Sequence, residues 1–285
     1  MKLLVTGATG KLGSKVISSL LKSVAAEDLA VSVRNPNKAE ELRELGVDVR
    51  HGDFDHPDTL DHAFKDVDRL LIISTDGDNE TRIRQHGNAV QAAERAGVKF
   101  IAYTSIANAT DSENLMAPPH VATEAAIIKT GIPYTFLRNN WYLENEIGSI
   151  QAVKAGAPWA TSAGDGKVGW ALQQDYADAA AAVLTGSGHE NKVYELSGPL
   201  LTQEQLASAV GKVLDKLIEV KQVSDEEYAE IMKSAGLPDF AIPIVVGIQQ
   251  SIRNGSLEVE NSDFEKVLGR SLTPIEKGLA KLVSE

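Results

Sequence analysis

Cysteine is absent from the 285 residues. Disulfides, thiolate metal sites and a cysteine nucleophile are thereby excluded, no metal is expected, and the absence suits a cytoplasmic location. Basic residues are in deficit: 28 Lys and Arg stand against 40 Asp and Glu, a net charge of −12. A surface that neutralises nucleic-acid phosphates needs the opposite balance. No nucleic-acid partner is expected, although a local basic pocket for one phosphate remains open. Long apolar runs are also missing. The longest, such as Leu70 to Ile73, fall far short of a membrane span. Met1-Lys2-Leu3-Leu4-Val5-Thr6-Gly7 shows no basic segment leading into a long apolar core, so no signal peptide is expected. No feature indicates an oligomeric state.

What is present is an alternation. Apolar runs at residues 3–6, 29–33, 47–50, 69–74, 100–104 and 134–137 are separated by helical patterns starting near Lys11, Pro36, Pro57, Glu80 and Pro118. In the first of these helices, Leu12, Val16 and Leu20 recur at helical spacing. Strands alternating with helices imply βαβ units, right-handed crossovers and a parallel sheet. The expected fold is α/β, a Rossmann-type doubly wound sheet over residues 1–145. A mostly helical lobe over 146–285 is expected on the substrate side. Residues 160–175, with Gly164, Gly166 and Gly169, read as a loop or hairpin. An Ala-rich helix over 175–184 starts at an Asp cap, and a short strand at 193–196 is placed to rejoin the main sheet. Further helices are predicted at 202–214, 225–235, 241–254 and 273–283.

The first strand runs into Gly7-Ala8-Thr9-Gly10-Lys11-Leu12-Gly13, which opens a helix. Glycines so spaced allow a tight turn, close backbone approach to a pyrophosphate and close helix–strand packing. The phosphates then meet free N–H groups and the positive end of the helix dipole. Its place between the first strand and the first helix of a β/α series is the context that gives this motif meaning. An NAD site usually carries a carboxylate about 20 residues on, at the tip of the second strand. Here that strand ends Ser32-Val33-Arg34-Asn35. Arg34 offers a planar fork for a 2′-phosphate, and Lys38 and Lys11 add charge. NADP is therefore expected over NAD, with a solvated surface arginine as the plainer alternative.

In open parallel sheets, ligands sit beyond the carboxyl ends of the strands. Those ends carry Asp53 and Phe54 (placed to meet an adenine), Ser74, Thr75 and Asp76 (ribose and phosphates), and Thr104, Ser105 and Asn139 (nicotinamide). Each could equally be a cap or turn residue. Tyr103, Asn140, Trp141 and Tyr142 are candidates for the substrate side. The three tryptophans, Trp141, Trp159 and Trp170, could form a flat apolar wall, although core packing is the commoner fate of Trp.

These segments resemble the NmrA-like group of atypical short-chain dehydrogenases. The resemblance rests on Val5 through Gly13, Val33-Arg34-Asn35, His51-Gly52-Asp53 and Ile101-Ala102-Tyr103-Thr104-Ser105. It continues through His120-Val121-Ala122-Thr123-Glu124, Ile132 through Asn139 and His189-Glu190-Asn191-Lys192, and so covers nearly the whole chain. Within the group, the likeness is to type 2 NAD(P)H:quinone oxidoreductases and to triphenylmethane reductase. It implies an NADPH-binding Rossmann domain and a small substrate lobe, without flavin.

Most short-chain dehydrogenases carry Tyr-x-x-x-Lys on the helix after the fifth strand. None of Tyr103, Tyr134, Tyr142, Tyr176, Tyr194 and Tyr228 has a lysine four residues later. His120 and Glu124 stand in those places instead. His120 is the candidate proton donor, unless it only orients substrate or caps the helix. Hydride reduction of a ketone makes a strongly basic alkoxide, which benefits from a positioned acid. A quinone yields a phenolate-like anion, of pKa near ~10 by analogy with tyrosine, that solvent can protonate. The missing tyrosine thus argues against ordinary ketone chemistry and for an acceptor that is already electrophilic, with proximity as the main catalytic device. A quinone or similar flat electrophilic acceptor, aromatic or quinone in kind, is expected. A non-enzymatic NADP(H)-sensing regulator is the alternative. A nucleotide-sugar epimerase suffers from the same missing tyrosine.

Overall fold

The structure, a computed structural model, describes residues 1–110, 114–260 and 262–284. Its first part alternates as the sequence pattern predicts: β1 (Leu3–Thr6), α1 (Lys11–Leu20), β2 (Leu29–Val33), α2 (Glu40–Glu44), β3 (Asp48–His51), α3 (Pro57–Ala63), β4 (Arg69–Ile72), α4 (Asn79–Arg95), β5 (Phe100–Ile106), α5 (Ala117–Thr130) and β6 (Tyr134–Asn139). β1, β2 and β5 are buried at every residue. That is how unbroken apolar runs behave when helices cover both faces of a parallel sheet. On α1, the buried side chains include Leu12, Val16, Ile17 and Leu20, one apolar stripe laid on the sheet.

The main sheet has seven strands in the order β3-β2-β1-β4-β5-β6-β9, where β9 is Lys192–Leu196. β1 through β6 pair in parallel. The order runs outward in both directions from β1 and β4, so this is a Rossmann-type doubly wound sheet whose switch point lies between those two strands.

β4 stops at Ile72, two residues before the predicted end. Beyond it, side-chain hydroxyls take over the ladder: the Ile73 N–H donates to Thr6 Oγ1 at 2.9 Å and the Ser74 N–H to Thr104 Oγ1 at 2.9 Å. The chain leaves the sheet there with its donors satisfied.

The remaining elements are α6 (Ile147–Lys154), β7 (Trp159–Thr161), β8 (Lys167–Gly169), α7 (Gln173–Thr185), β10 (Leu200–Thr202), α8 (Gln203–Leu214), β11 (Val220–Gln222), α9 (Asp225–Ser234), α10 (Ile242–Arg253), α11 (Asp263–Leu268) and α12 (Ile275–Ser284). Residues 160–175, expected as loop or hairpin, hold two strands that do not pair with each other. β7 pairs in parallel with β11, and β8 antiparallel with β10. α7 begins before the predicted Asp175 cap, because the Glu144 carboxylate accepts the Gln173 N–H at 2.9 and 3.1 Å. α8 carries a capping box between Thr202 and Gln205.

The chain divides into two compact units. One comprises Met1–Ala109, Pro118–Asn139 and Gln174–Tyr194; the other comprises Thr110–Ala117, Asn140–Gln173 and Glu195–Glu285. The core of the first packs Leu4, Phe64, Leu70, Ile72, Ile101, Tyr103 and Phe136. Among the described residues, no helix is long and apolar enough to cross a membrane.

Candidate active site

The glycine turn lies between β1 and α1, inside the first unit. Gly7 has φ +63°, a left-handed conformation that side chains resist. A Cβ on Gly13 would stand 2.2 Å from the Gly7 carbonyl oxygen, so the helix can approach the turn this closely only with glycine there. Gly10 is the N-cap of α1, no side chain caps that end, and its first turn carries no acidic residue. α4 and α8 differ: Asp78 and Thr202 cap them. The amide donors at the start of α1 are therefore left for an anion, and the cradle fits the pyrophosphate of a dinucleotide.

The other strand-end residues of this unit divide by exposure. Gly7, Thr9, Gly10, Lys11, Arg34, Lys38 and Asp76 are exposed, while Asp53, Ser74 and Thr75 are half-buried. Leu12, Gly13, Phe54, Thr104, Ser105 and Asn139 are buried. Arg34 extends from the tip of β2, and Asn35 beside it caps the following turn by accepting the Asn37 N–H at 3.1 Å. The Asp53 carboxylate serves its own turn, accepting the Asp55 N–H at 3.0 Å and meeting His56 Nδ1 at 3.2 Å. Thr104 holds the Ser74 N–H, and Ser105 Oγ donates to Glu124 Oε1 at 2.6 Å. Phe54, Thr104, Ser105 and Asn139, expected at the ligand, are all buried.

His120 is 4 % exposed and both its ring nitrogens are engaged. Arg82 Nη2 lies 2.8 Å from Nε2, and Tyr103 Oη lies 2.9 Å from Nδ1. A guanidinium can only donate, so Nε2 accepts, the ring proton sits on Nδ1, and it is given to Tyr103. His86 repeats the pattern. The Thr75 N–H donates to its Nε2 at 2.9 Å, so Nδ1–H donates to Thr123 Oγ1 at 2.8 Å, and Thr123 passes its own proton to the Pro119 carbonyl at 2.6 Å. Burial, reinforced by the Arg82 charge, lowers His120 to about 3 and His86 to about 4. Both rings are neutral near pH 7, and no ring proton is left over for a third molecule. Glu124 is paired with Arg138, whose Nη2 donates to Oε2 at 2.7 Å and Nε to Oε1 at 3.0 Å. The cluster is a clamp joining the β4–α4 loop, α4, β5, α5 and β6.

Tyr103, a candidate for the substrate side, is fully buried and belongs to this clamp. Sequence reasoning missed Arg82, His86, Thr123 and Arg138. The available signal was Arg82 and His86 four apart on α4, facing His120, Thr123 and Glu124 at spacings of three and four on α5.

In the second unit, Asn140 is locked. Its Nδ2 donates to Ser197 Oγ at 3.1 Å and to the Leu257 carbonyl at 2.9 Å, and its Oδ1 accepts the Trp141 N–H at 2.9 Å. Both ends of the side-chain amide of this candidate for the substrate side are thus engaged within the protein. Trp159 and Trp170 are core residues at 1 % exposure, whereas Trp141 and Tyr142 are half-buried. Among the described residues, no group of three or more His, Cys, Asp or Glu is placed to hold a metal ion.

Known proteins are similar to this chain over nearly its whole length. Quinone oxidoreductase 2 of Escherichia coli K12 is 39 % identical over 279 residues, covering 98 % of this chain and 97 % of its own. Its structure complexed with NADPH superposes with a TM-score of 0.93, covering 98 % of this chain and 99 % of that one. Triphenylmethane reductase of Citrobacter sp., complexed with NADP(H), is 41 % identical with a TM-score of 0.95, covering 99 % of this chain and 100 % of that one. The NmrA-like family model matches residues 1–271. With the glycine turn, the strand order and this match over nearly its whole length, the chain belongs to the NmrA-like family.

Proposed function

We propose that the chain is an NADPH-dependent reductase that passes hydride directly to a quinone or a similar flat electrophile, without flavin. The observation that carries this reading is the state of His120: neutral, buried and bonded at both ring nitrogens. A site whose candidate acid has no free proton suits an acceptor whose reduced form is stable as an anion. Whole-chain similarity to a quinone oxidoreductase supports the same reading.

Bound NADPH supplies the hydride. Gly7, Thr9, Gly10, Lys11, Leu12 and Gly13 would hold its pyrophosphate through backbone N–H groups, and Arg34 with Lys38 its 2′-phosphate. Ser74, Thr75 and Asp76 line the ribose side, with Asp53 near the adenine. Thr104, Ser105 and Asn139 support this surface from below. Trp141 and Tyr142 are the residues proposed to meet the acceptor. A quinone that takes up hydride becomes a hydroquinone anion of pKa near ~10, which water protonates after release. The residues named need only bind and align.

Steady-state assays with NADPH, benzoquinone and a ketone panel test this, with no flavin added. Benzoquinone turns over and ketones do not. His120→Ala lowers kcat by less than the roughly 10²–10⁴-fold loss typical of an acid–base residue. Ketone turnover that disappears in His120→Ala would make His120 the acid and overturn the mechanism. No turnover of any acceptor would favour a sensor of NADP(H).

A further inference from the structure

Glu146 lies in the second unit and is not used by the mechanism above. It is buried, and its Oε1 accepts two indole N–H bonds, from Trp170 at 3.1 Å and from Trp141 at 3.2 Å. Burial raises its carboxyl pKa, an effect the two indole bonds partly offset. A buried carboxyl group is costly unless it is hydrogen-bonded, and here both bonds come from indole N–H groups. Trp170 is almost fully buried and fixes one side of this bridge, while Trp141 is half-buried.

Trp141 is held at every polar atom. Its backbone N–H donates to Asn140 Oδ1 at 2.9 Å, its carbonyl accepts the Ala171 N–H at 3.3 Å, and its indole N–H donates to Glu146. Asn140 is itself anchored on Ser197 and Leu257. A large flat ring bound at both ends and left partly open is a preorganised contact surface, whose rotamer entropy is lost on folding rather than on binding.

We propose that Glu146 is a positioning residue that holds the Trp141 indole as a rigid platform on which a flat aromatic acceptor stacks. This rests on the proposed reductase function. The class of acceptor follows from the platform: planar, conjugated and electron-poor rings bind, and compact aliphatic carbonyl compounds do not.

The test compares Glu146→Leu, Glu146→Gln, Trp141→Phe and the double variant Glu146→Leu/Trp141→Phe. In Glu146→Leu the indole loses its acceptor. The KM for 1,4-benzoquinone rises by about tenfold, and kcat changes much less, when a binding surface loses its preorganisation. Acrylamide quenching of tryptophan fluorescence increases in the same variant. Glu146→Gln keeps an oxygen in place and restores most of both readouts. In the Trp141→Phe background, Glu146→Leu adds no further rise in KM. An unchanged KM and unchanged quenching in a folded Glu146→Leu, with only a lower melting temperature, overturns the proposal. Should Glu146→Leu fail to fold, Trp141→Leu decides, because a wild-type KM there also overturns it. If wild type reduces no acceptor, the reductase reading fails, and the quenching of Glu146→Leu against Glu146→Gln still judges whether Glu146 holds the Trp141 indole.

Discussion

Two sets of residues at the carboxyl edge of the first unit's sheet share polar chemistry and differ in their surroundings. The exposed set, Gly7, Thr9, Gly10 and Lys11 with Arg34 and Lys38, has an uncapped helix end and solvent-facing cations. The buried set, Arg82, His86, Tyr103, Thr104, His120 and Thr123, directs most of its donors and acceptors inward, with Arg82 Nε the one group left without a partner among these side chains. Residues that bind a ligand must leave hydrogen-bonding capacity unused, whereas residues that hold a fold must spend it internally. In the proposed reading, this difference separates the binding surface from its support better than residue type does, since Ser, Thr and His occur at strand ends in both roles.

Substitution at the exposed set should damage binding and spare folding. Gly10→Val fills the space above the helix end that the pyrophosphate needs. It should remove detectable NADPH binding by calorimetric titration and leave far-UV circular dichroism unchanged. Wild-type affinity in this variant would place the phosphate site elsewhere.

Acid should do the opposite and strike the buried set. His86 and His120 titrate at about 4 and about 3 in the fold, against 6.5 when unperturbed. Their folded pKa values are lowered, so the unfolded chain binds more protons below pH 6.5. The stability they confer is fully present above that pH and is lost as pH falls toward 4 and 3. Each histidine contributes up to about 1.4 kcal/mol per pH unit across its window. Urea denaturation at stepped pH should show this slope, flattened in His86→Gln/His120→Gln. An unflattened slope would assign acid sensitivity to other groups.

The smallest effect sharpens the comparison at one atom group. Arg34→Ala should weaken NADPH binding by about 1.5–3 kcal/mol, the range for a hydrogen bond to a charged group, and leave NADH nearly unchanged. Equal losses for both cofactors would mean that Arg34 does not read the 2′-phosphate.

Local regularities made most of the fold legible. β1, β2 and β5 are continuous apolar runs, α1 has its stripe at Leu12, Val16 and Leu20, and the glycine turn must follow β1 to have any meaning. β7, β8, β10 and β11 were not legible, because three-residue strands have no periodicity and their partners lie far along the chain. α7's true cap, Glu144, is distant from the Asp175 that local propensity favoured.

The sequence by itself determined the parallel α/β layout, the glycine turn, the cation at the tip of β2 and the missing Tyr-x-x-x-Lys. All of these depend on neighbours within a few residues, where backbone geometry and spacing act directly. Only the tertiary structure decided the role of each polar side chain at the strand ends. His120 is a neutral clamp residue because Arg82 and Tyr103, brought from α4 and β5, occupy its two nitrogens and bury it. Burial and hydrogen-bond pairing between segments far apart in sequence set protonation and availability, and no local pattern encodes either.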